Sequence, residues 1–309
     1  MNVMTKLIKG IDDLKSPIVA GMDTTEEMLP KFMKDKYLEM YGRNAIAVSK
    51  MLIEYNKIII DNIYDLVPAV KIQIAMYEKY GVSGIRAYIE TASYAAKKGL
   101  LVIGDIKRGD IGSTATAYAA HLTGAEVDGI AVPTWNEDMI TVNPYLGEDS
   151  LMPFVNVCKK TDKACFVLVK TSNPGSKDIQ DLISKEYNEP IYESVGKMVE
   201  NLGRDTVDNY GYSAIGAVVG ATHREIGGRL RKIMPNTFFL VPGYGAQGAG
   251  AEDIKGFFDK DGRGSIVNSS RGIIANWQKH DKYSEQNIGS AARDAVLLMK
   301  KDLGGIIGE

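Results

Sequence analysis

Short runs of apolar residues recur along the chain and alternate with longer segments that have helical periodicity. The runs are continuous rather than alternating with polar positions, which is typical of parallel strands covered on both faces. They span residues 17–22, 67–70, 101–104, 164–169, 214–219, 238–241 and 265–267, and either 129–132 or 140–142 supplies one more. Between the runs, residues 84–97 and 286–300 place apolar side chains on one helical face. In the first helix these are Ile85, Tyr88, Ile89, Ala92 and Ala96, and in the second Ile288, Ala292, Ala295 and Met299.

Eight strand–helix alternations in 309 residues predict an α/β fold, a (β/α)8 TIM barrel, with a doubly wound sheet as the alternative. The polar residues that follow the strands favour the barrel, because all its strands end at one face. These residues are Asp23, Lys71, Asp105, Lys107, Asn143, Thr171, Ser172, Asn173, Thr222, Gln247, Ser269, Ser270 and Arg271. No change in composition marks a boundary, so we expect a single domain over residues 1–309, with helical extensions at both ends.

Composition and charge narrow the class of protein. The formal net charge of −2 gives no overall attraction to nucleic acid or to an anionic membrane. No apolar run approaches membrane-spanning length and the N-terminus has no secretion-signal pattern, so we expect a cytoplasmic protein. Cys158 and Cys165 are interpreted as thiols, with a disulfide as the alternative. We assign no metal, since no cluster of His, Cys and carboxylate residues has metal-ligand spacing.

A charged motif follows the third predicted strand. Asp105, Lys107 and Asp110 form a D-x-K-x-x-D pattern within residues 104–114. On an extended strand end, Asp105 and Lys107 point to the same side. Two carboxylates and an ammonium group in close proximity cannot all keep their ordinary pKa values, and such perturbed groups suit proton transfer. The alternative is a solvated charged turn that caps the strand, which is the more frequent outcome for such a motif in isolation.

A glycine-rich loop after the seventh predicted strand indicates an anion site. Residues 242–248 contain a G-x-G-x-x-G spacing, but its late position and the lack of a suitable acidic residue argue against a dinucleotide site. The backbone at Gly245 and Gly248 can approach an anion closely, and Arg271 suits bidentate contact with phosphate. Loops after strands seven and eight of a barrel commonly bind phosphate, so we expect a monophosphate ligand. A glycine hinge beside a surface arginine is the alternative.

Together these segments resemble the orotidine 5′-phosphate decarboxylase family, particularly its longer bacterial branch. The matching motifs lie in order at residues 19–23, 67–73, 104–114, 142–147, 170–174, 218–222 and 241–248. The resemblance implies the TIM-barrel fold and the removal of CO2 from orotidine 5′-monophosphate to give UMP, the last step of de novo pyrimidine biosynthesis. It also implies a homodimer and a reaction without a cofactor.

The resemblance further implies catalytic roles. Lys71, Asp105, Lys107 and Asp110 would form an alternating array of charges, in which Lys107 protonates C6 of the pyrimidine as the carbanion forms. Asp105 would lie against the departing carboxylate, and Lys71 would orient Asp105. Asp110 would enter the site of the partner subunit. The long segment 172–190 would be either part of a lid over the base or a surface excursion.

Substrate-binding positions carry over in the same way. Asp23 would bind the ribose with Lys71, Ser172 would contact the pyrimidine, and Gln247 with Arg271 would bind the phosphate. Two alternatives are an inactive nucleotide-binding barrel and a metal-dependent sugar-phosphate decarboxylase or aldolase on the same scaffold. Enzymes of the latter kind need a carboxylate at the end of the second strand to help hold Mg²⁺. This chain has Lys71 there, and a cation would repel the metal.

Overall fold

The computed structural model describes residues 2–245 and 248–307. Its strands are β1 (Ile18–Gly21), β2 (Ala69–Gln73), β3 (Leu101–Arg108), β4 (Ala125–Val127), β5 (Ile130–Val132), β6 (Met139–Val142), β7 (Ala164–Lys170), β8 (Ile215–Val219), β9 (Phe239–Val241) and β10 (Ser265–Ser269). Apart from β4 and β5, they form a closed parallel barrel in the order β1-β2-β3-β6-β7-β8-β9-β10, with β10 paired to β1. The predicted TIM barrel in a single domain is confirmed.

Helices surround the barrel. They are α1 (Val3–Leu14), α2 (Lys31–Tyr41), α3 (Ala45–Ile63), α4 (Ala75–Glu78), α5 (Gly81–Lys97), α6 (Gly112–Thr123), α7 (Glu148–Lys160), α8 (Ile191–Gly203), α9 (Arg224–Ile233), α10 (Ala251–Ile254), α11 (Arg271–Ile274) and α12 (Ile288–Ile307). Short 3₁₀ turns lie at Glu26–Met28, Pro174–Asp178, Arg204–Thr206, Lys255–Phe257, Asn276–Gln278 and Glu285–Asn287. No helix of the described residues is long and apolar enough to cross a membrane.

The buried face of α5 is rotated slightly from the predicted one. Ala96 is exposed, and Ile85 and Ile89 lie at the edges of the face. The buried face consists of Gly84, Ala87, Tyr88, Thr91, Ala92 and Ala95. At its first residue, an added Cβ on Gly84 would lie 1.8 Å from the carbonyl oxygen of Tyr77, so a side chain does not fit there.

The fourth barrel strand is β6, which settles the choice between residues 129–132 and 140–142. All four residues of β6 are buried, as a barrel position requires. The other run forms β5 of an antiparallel hairpin with β4, whose side chains are exposed. Asp128 and Gly129 connect these two strands, with φ angles of +51° and +78°. Two consecutive residues of positive φ produce the tight turn that suits a two-residue hairpin.

Helix α1 packs at the N-terminal end of the barrel. Its cap is Asn2, whose side-chain oxygen accepts a hydrogen bond from the Thr5 amide at 2.8 Å. The Val3 amide donates to the carbonyl of Asp162, just before β7, at 2.8 Å. The buried face of the helix consists of Val3, Met4, Leu7, Ile8 and Ile11. The barrel floor is therefore covered by apolar side chains, and the cavity described below lies at the opposite end.

The two cysteines lie inside the protein on neighbouring elements. Cys158 is on α7 and Cys165 is on β7, and both are buried free thiols. The interpretation as thiols is therefore confirmed, and no disulfide joins the helix to the barrel at this point.

Candidate active site

A cavity of about 970 Å³ opens at the C-terminal ends of the barrel strands. Many of the polar residues expected to converge there do line it: Asp23, Lys71, Asp105, Lys107, Asn143, Thr171, Ser172, Asn173, Ser270 and Arg271. The part of its wall formed by described residues does not include Thr222 or Ser269. Ser269 alternates with its lining neighbours Asn268 and Ser270, so it points to the other face of the strand.

Asp105 is the centre of a charged cluster in this cavity. Its Oδ2 atom accepts from Nζ of Lys71 at 2.8 Å and from Gln73 at 2.9 Å. Its Oδ1 atom accepts from Nζ of Lys107 at 2.5 Å and from Thr141 at 3.0 Å. Burial alone would raise the pKa of Asp105, but the charges of Lys71 and Lys107 outweigh burial and hold that pKa below its usual range. The carboxylate is therefore ionised and held in one orientation.

Lys71 is a buried cation shared by two carboxylates. Its Nζ atom lies 2.8 Å from Asp105 and 3.4 Å from Asp23. Burial would lower the pKa of this ammonium group, but the charges of Asp105 and Asp23 raise it above its usual value. Lys71 therefore remains charged and links the ends of β1, β2 and β3.

Lys107 differs from Lys71 in exposure and in backbone conformation. Its side chain is 43% exposed and faces the cavity, whereas that of Lys71 is 4% exposed. The φ angle of Lys107 is +47°, a region that side-chain-bearing residues rarely adopt. The pairing of β3 with β6 shifts register between Gly104 and Arg108, and the Lys107 amide donates to the Thr141 hydroxyl at 3.0 Å. This irregularity in β3 aims the ammonium group into the cavity.

The buried carboxylate of Glu137 lies beside β3. An added Cβ at Gly104 would lie 2.3 Å from Oε1 of Glu137, so only glycine fits directly before Asp105. Glu137 accepts a hydrogen bond from the Tyr88 hydroxyl, and its other oxygen lies 2.9 Å from Nδ1 of His121. The His121 ring stacks on Trp135. Glu137 therefore fills the space beside Gly104, directly before the charged motif.

The predicted substrate-binding residues lie on different sides of the cavity. Asp23 follows β1, Ser172 follows β7, and Arg271 follows β10 as the first residue of α11. Gln247 lies outside the described residues. Because β7 and β10 are separated by two strands of the barrel, the positions expected to hold the pyrimidine and the phosphate lie apart.

The glycine-rich loop has the backbone conformation that its glycines permit. Gly245 and Gly248 have φ angles of +72° and +87°. The Gly245 amide donates to the Ala249 carbonyl at 2.9 Å, and the Gly248 amide donates to the Gly245 carbonyl at 3.0 Å. Both amides are therefore already paired within the loop. The expected contact of these two amides with phosphate stays a prediction, and it requires the loop to change shape.

The segment 172–190 lines the cavity with its first part, at Ser172, Asn173, Gly175, Ser176, Ile179 and Gln180. It is anchored by Lys170 at the end of β7, which is fully buried and lies 2.5 Å from Asp181 and 3.3 Å from the Ser176 hydroxyl. Gln180 lines the cavity beside this ion pair. Residues 172–180 thus belong to the cavity wall, and the buried ion pair that anchors the segment is a feature that the sequence motifs did not reveal.

Asp110 lies apart from the charged cluster in the cavity. It is half-buried between β3 and α6, and its Oδ1 atom accepts from the amide of Ile111 at 2.7 Å. The side chain of Ile111 is 56% exposed. Asp110 does not belong to the described wall of the cavity.

Comparisons with known proteins identify the family of this chain. The model of the orotidine 5′-phosphate decarboxylase / HUMPS family matches residues 17–285. The chain belongs to this family. It is 42% identical over 302 residues to the orotidine 5′-phosphate decarboxylase of Clostridium tetani, a match that covers 97% of each protein. The same named enzyme of Petrotoga mobilis is 42% identical over 290 residues, or 94% of each protein.

A solved structure agrees with this family assignment. Leishmania donovani OMP decarboxylase superposes with a TM-score of 0.72 at 29% identity, and the match covers 99% of each chain. The resemblance read from the motifs is therefore confirmed over almost the whole length of the chain. Two residues that the motifs did not single out, Gln73 and Thr141, complete the set of hydrogen-bond donors to Asp105 in this family member.

Proposed function

We propose that the protein decarboxylates orotidine 5′-monophosphate to UMP. The observation that carries this proposal is the cluster of Lys71, Asp105 and Lys107 in a cavity large enough for a nucleotide. Membership of the family and the names of the 42% identical relatives support it.

The charges in the cluster match the needs of this reaction. When the bond from C6 to the carboxylate breaks, its electron pair stays on C6 as a vinyl carbanion that no neighbouring carbonyl can delocalise. Stabilisation then has to come from charge that is already in place. The exposed ammonium group of Lys107 would stabilise this carbanion and transfer a proton from Nζ to C6. Asp105 would lie against the departing carboxylate, while Lys71 keeps Asp105 ionised and oriented.

The position of Lys71 also argues against the metal-dependent alternative. A sugar-phosphate enzyme on this scaffold would need a carboxylate at the end of β2. The buried cation of Lys71 occupies this place and is committed to Asp105 and Asp23. A second cation there would be repelled.

An assay of decarboxylation tests the function directly. Purified protein is incubated with orotidine 5′-monophosphate and EDTA, and the loss of substrate is followed by ultraviolet absorbance. We expect full turnover in the presence of EDTA. A complete lack of turnover would rule out the proposed reaction, and turnover that EDTA abolishes would favour the metal-dependent alternative.

We further propose that the active form is a homodimer in which Asp110 completes the partner's site. Asp110 lies outside the described cavity wall of its own subunit, next to the exposed Ile111. This arrangement fits a residue that acts across an interface. The cytoplasmic location expected from the sequence also stays a prediction.

Mixing two inactive variants tests the shared site. Asp110→Ala and Lys107→Ala proteins, exchanged through mild denaturation, should recover about a quarter of wild-type activity, because half of the random dimers then hold one intact site. A mixture of Asp105→Ala and Lys107→Ala proteins is the matched control. It should recover nothing, since both residues serve the same subunit's site. A lack of recovery in the first mixture, with subunit exchange verified, would contradict the shared site.

A further inference from the structure

Thr141 on β6 lies opposite an irregular stretch of β3. The register pairs on either side of this stretch enclose residues 104–108 of β3 but only residues 140–142 of β6. Thr141 is therefore the single β6 residue between the two pairs, opposite residues 105–107 of β3. The charged motif of the cavity thus projects from a bulge that faces Thr141, and bulges of this kind redirect side chains.

The hydroxyl of Thr141 joins the two charged residues of this bulge. It accepts a hydrogen bond from the Lys107 amide at 3.0 Å and donates one to Oδ1 of Asp105, also at 3.0 Å. An amide N–H only donates and an ionised carboxylate only accepts, so these partners fix the direction of the single hydroxyl proton. Thr141 is buried in the cavity wall. Its hydroxyl is therefore an oriented link between the backbone of Lys107 and the carboxylate of Asp105.

This link stabilises an unfavourable backbone conformation at Lys107. A φ of +47° costs free energy in a residue with a side chain, so it persists only where the surrounding contacts fix it. The Thr141 hydroxyl satisfies the Lys107 amide in this conformation. Without the hydroxyl, the amide would need another acceptor, and the backbone would lose a contact that holds its left-handed angle. The ammonium group at the end of the same side chain would then be placed less precisely in the cavity.

We propose that Thr141 is a positioning residue that holds the left-handed backbone of Lys107 and so places its ammonium group against C6 of the bound pyrimidine. This inference rests on the proposed function for the identity of the ligand. The hydroxyl acts through Lys107 and Asp105 and needs no contact of its own with the nucleotide. Its loss should therefore weaken stabilisation of the carbanion and leave binding of the substrate nearly unchanged.

Removal of the hydroxyl tests this role in steady-state kinetics. Thr141→Val keeps the size and branching of the side chain but can neither donate nor accept a hydrogen bond. It should lower kcat by about 10- to 100-fold, since a hydrogen bond to a charged group is lost, and change KM by less than about twofold. Thr141→Ser keeps the hydroxyl and should recover at least about a third of wild-type kcat. A fall in kcat of less than about threefold in Thr141→Val, or a loss carried by KM alone, would overturn the inference.

Thr237 provides a matched control. It is also a buried threonine whose hydroxyl donates to a carboxylate, that of Glu200 at 2.7 Å, but it lies before β9, at the barrel end opposite the cavity. Thr237→Val should leave kcat and KM unchanged, and an equal fall in kcat in both valine variants would overturn the inference. If Thr141→Val does not fold, as judged by circular dichroism, Thr141→Cys replaces it, since a thiol is only a weak donor and acceptor.

Ligand binding separates this inference from the proposed reaction. Calorimetry compares UMP with 6-hydroxy-UMP, whose acidic ring carries an anionic oxygen at C6 at neutral pH. Wild-type protein should bind the anion at least about a hundredfold more tightly than UMP, because the Lys107 ammonium group faces the added charge. Thr141→Val should reduce this preference by about 10- to 100-fold and keep its affinity for UMP.

The outcomes of the binding experiment are distinct. If the preference is reduced in this way in protein that does not decarboxylate the substrate, the proposed function fails while the role of Thr141 stands. A preference that is equal in the two proteins, or absent from wild-type protein, would overturn the role. An affinity for UMP that falls by the same factor as that for the anion would also overturn it.

Discussion

Replacing Lys107 by glutamine is expected to lower kcat for decarboxylation by about 10⁴-fold or more. A neutral amide can neither stabilise the C6 carbanion by its charge nor deliver a proton to it. Steady-state kinetics followed by ultraviolet absorbance measure the decrease in kcat. The fold should be retained, because the Lys107 side chain is 43% exposed and its replacement leaves no cavity in the core.

An exposed lysine outside the cavity serves as the control for this variant. The side chain of Lys260 is 87% exposed, and it pairs with a neighbouring surface carboxylate. Lys260→Gln should keep wild-type kcat. If Lys107→Gln kept more than about one hundredth of wild-type kcat, another group would have to supply the proton.

The largest loss of stability is expected when Arg231, a residue far from the proposed chemistry, is replaced. Arg231 lies on α9 and is buried, with its guanidinium group 3.7 Å from the ring centroid of Phe239. Burial lowers its pKa to about 10, which still leaves it charged at neutral pH. It donates hydrogen bonds to four backbone carbonyls, those of Met234, Thr237, Phe257 and Gly264. One side chain thereby joins α9 to the segments before β9 and β10.

Arg231→Met should lower the free energy of unfolding by about 3–5 kcal/mol, because buried carbonyls lose their charged donor. Urea denaturation followed by circular dichroism measures the change. The neighbouring Lys232 is exposed on the same helix, and Lys232→Met should change stability by less than about 0.5 kcal/mol. Equal effects of the two substitutions would show that the carbonyl contacts of Arg231 contribute little.

The barrel could be predicted because its strands are buried on both faces and read as continuous apolar runs. The fourth strand was ambiguous, since residues 129–132 and 140–142 have similar composition. The pair Asp128-Gly129 is a strong hairpin signal and would have favoured residues 140–142 for the barrel. The buried faces of helices are predicted less accurately, as Ala96 shows. Small residues give no contrast between the buried and exposed sides of a helix.

The charged residues of the site were predictable from their types and from their places after strands. Gln73 could also have been found, because it lies two positions after Lys71 on one strand and so points to the same side. Thr141 could not, since its strand was uncertain. Strand alternation correctly predicts that Asp105 and Lys107 lie together, but it does not predict the positive φ of Lys107. That angle depends on the register of β3 against β6, which a local pattern does not encode.

Because Lys107 has a left-handed backbone conformation, stability and activity favour different residues at this position. A glycine there would adopt a φ of +47° without the steric cost that a lysine bears, roughly 1–3 kcal/mol. Directed evolution that selects only for heat resistance would thus tend to remove the ammonium group on which the proposed chemistry depends. Efforts to engineer a more durable enzyme on this chain should hold residue 107 fixed and seek their gains elsewhere in the barrel.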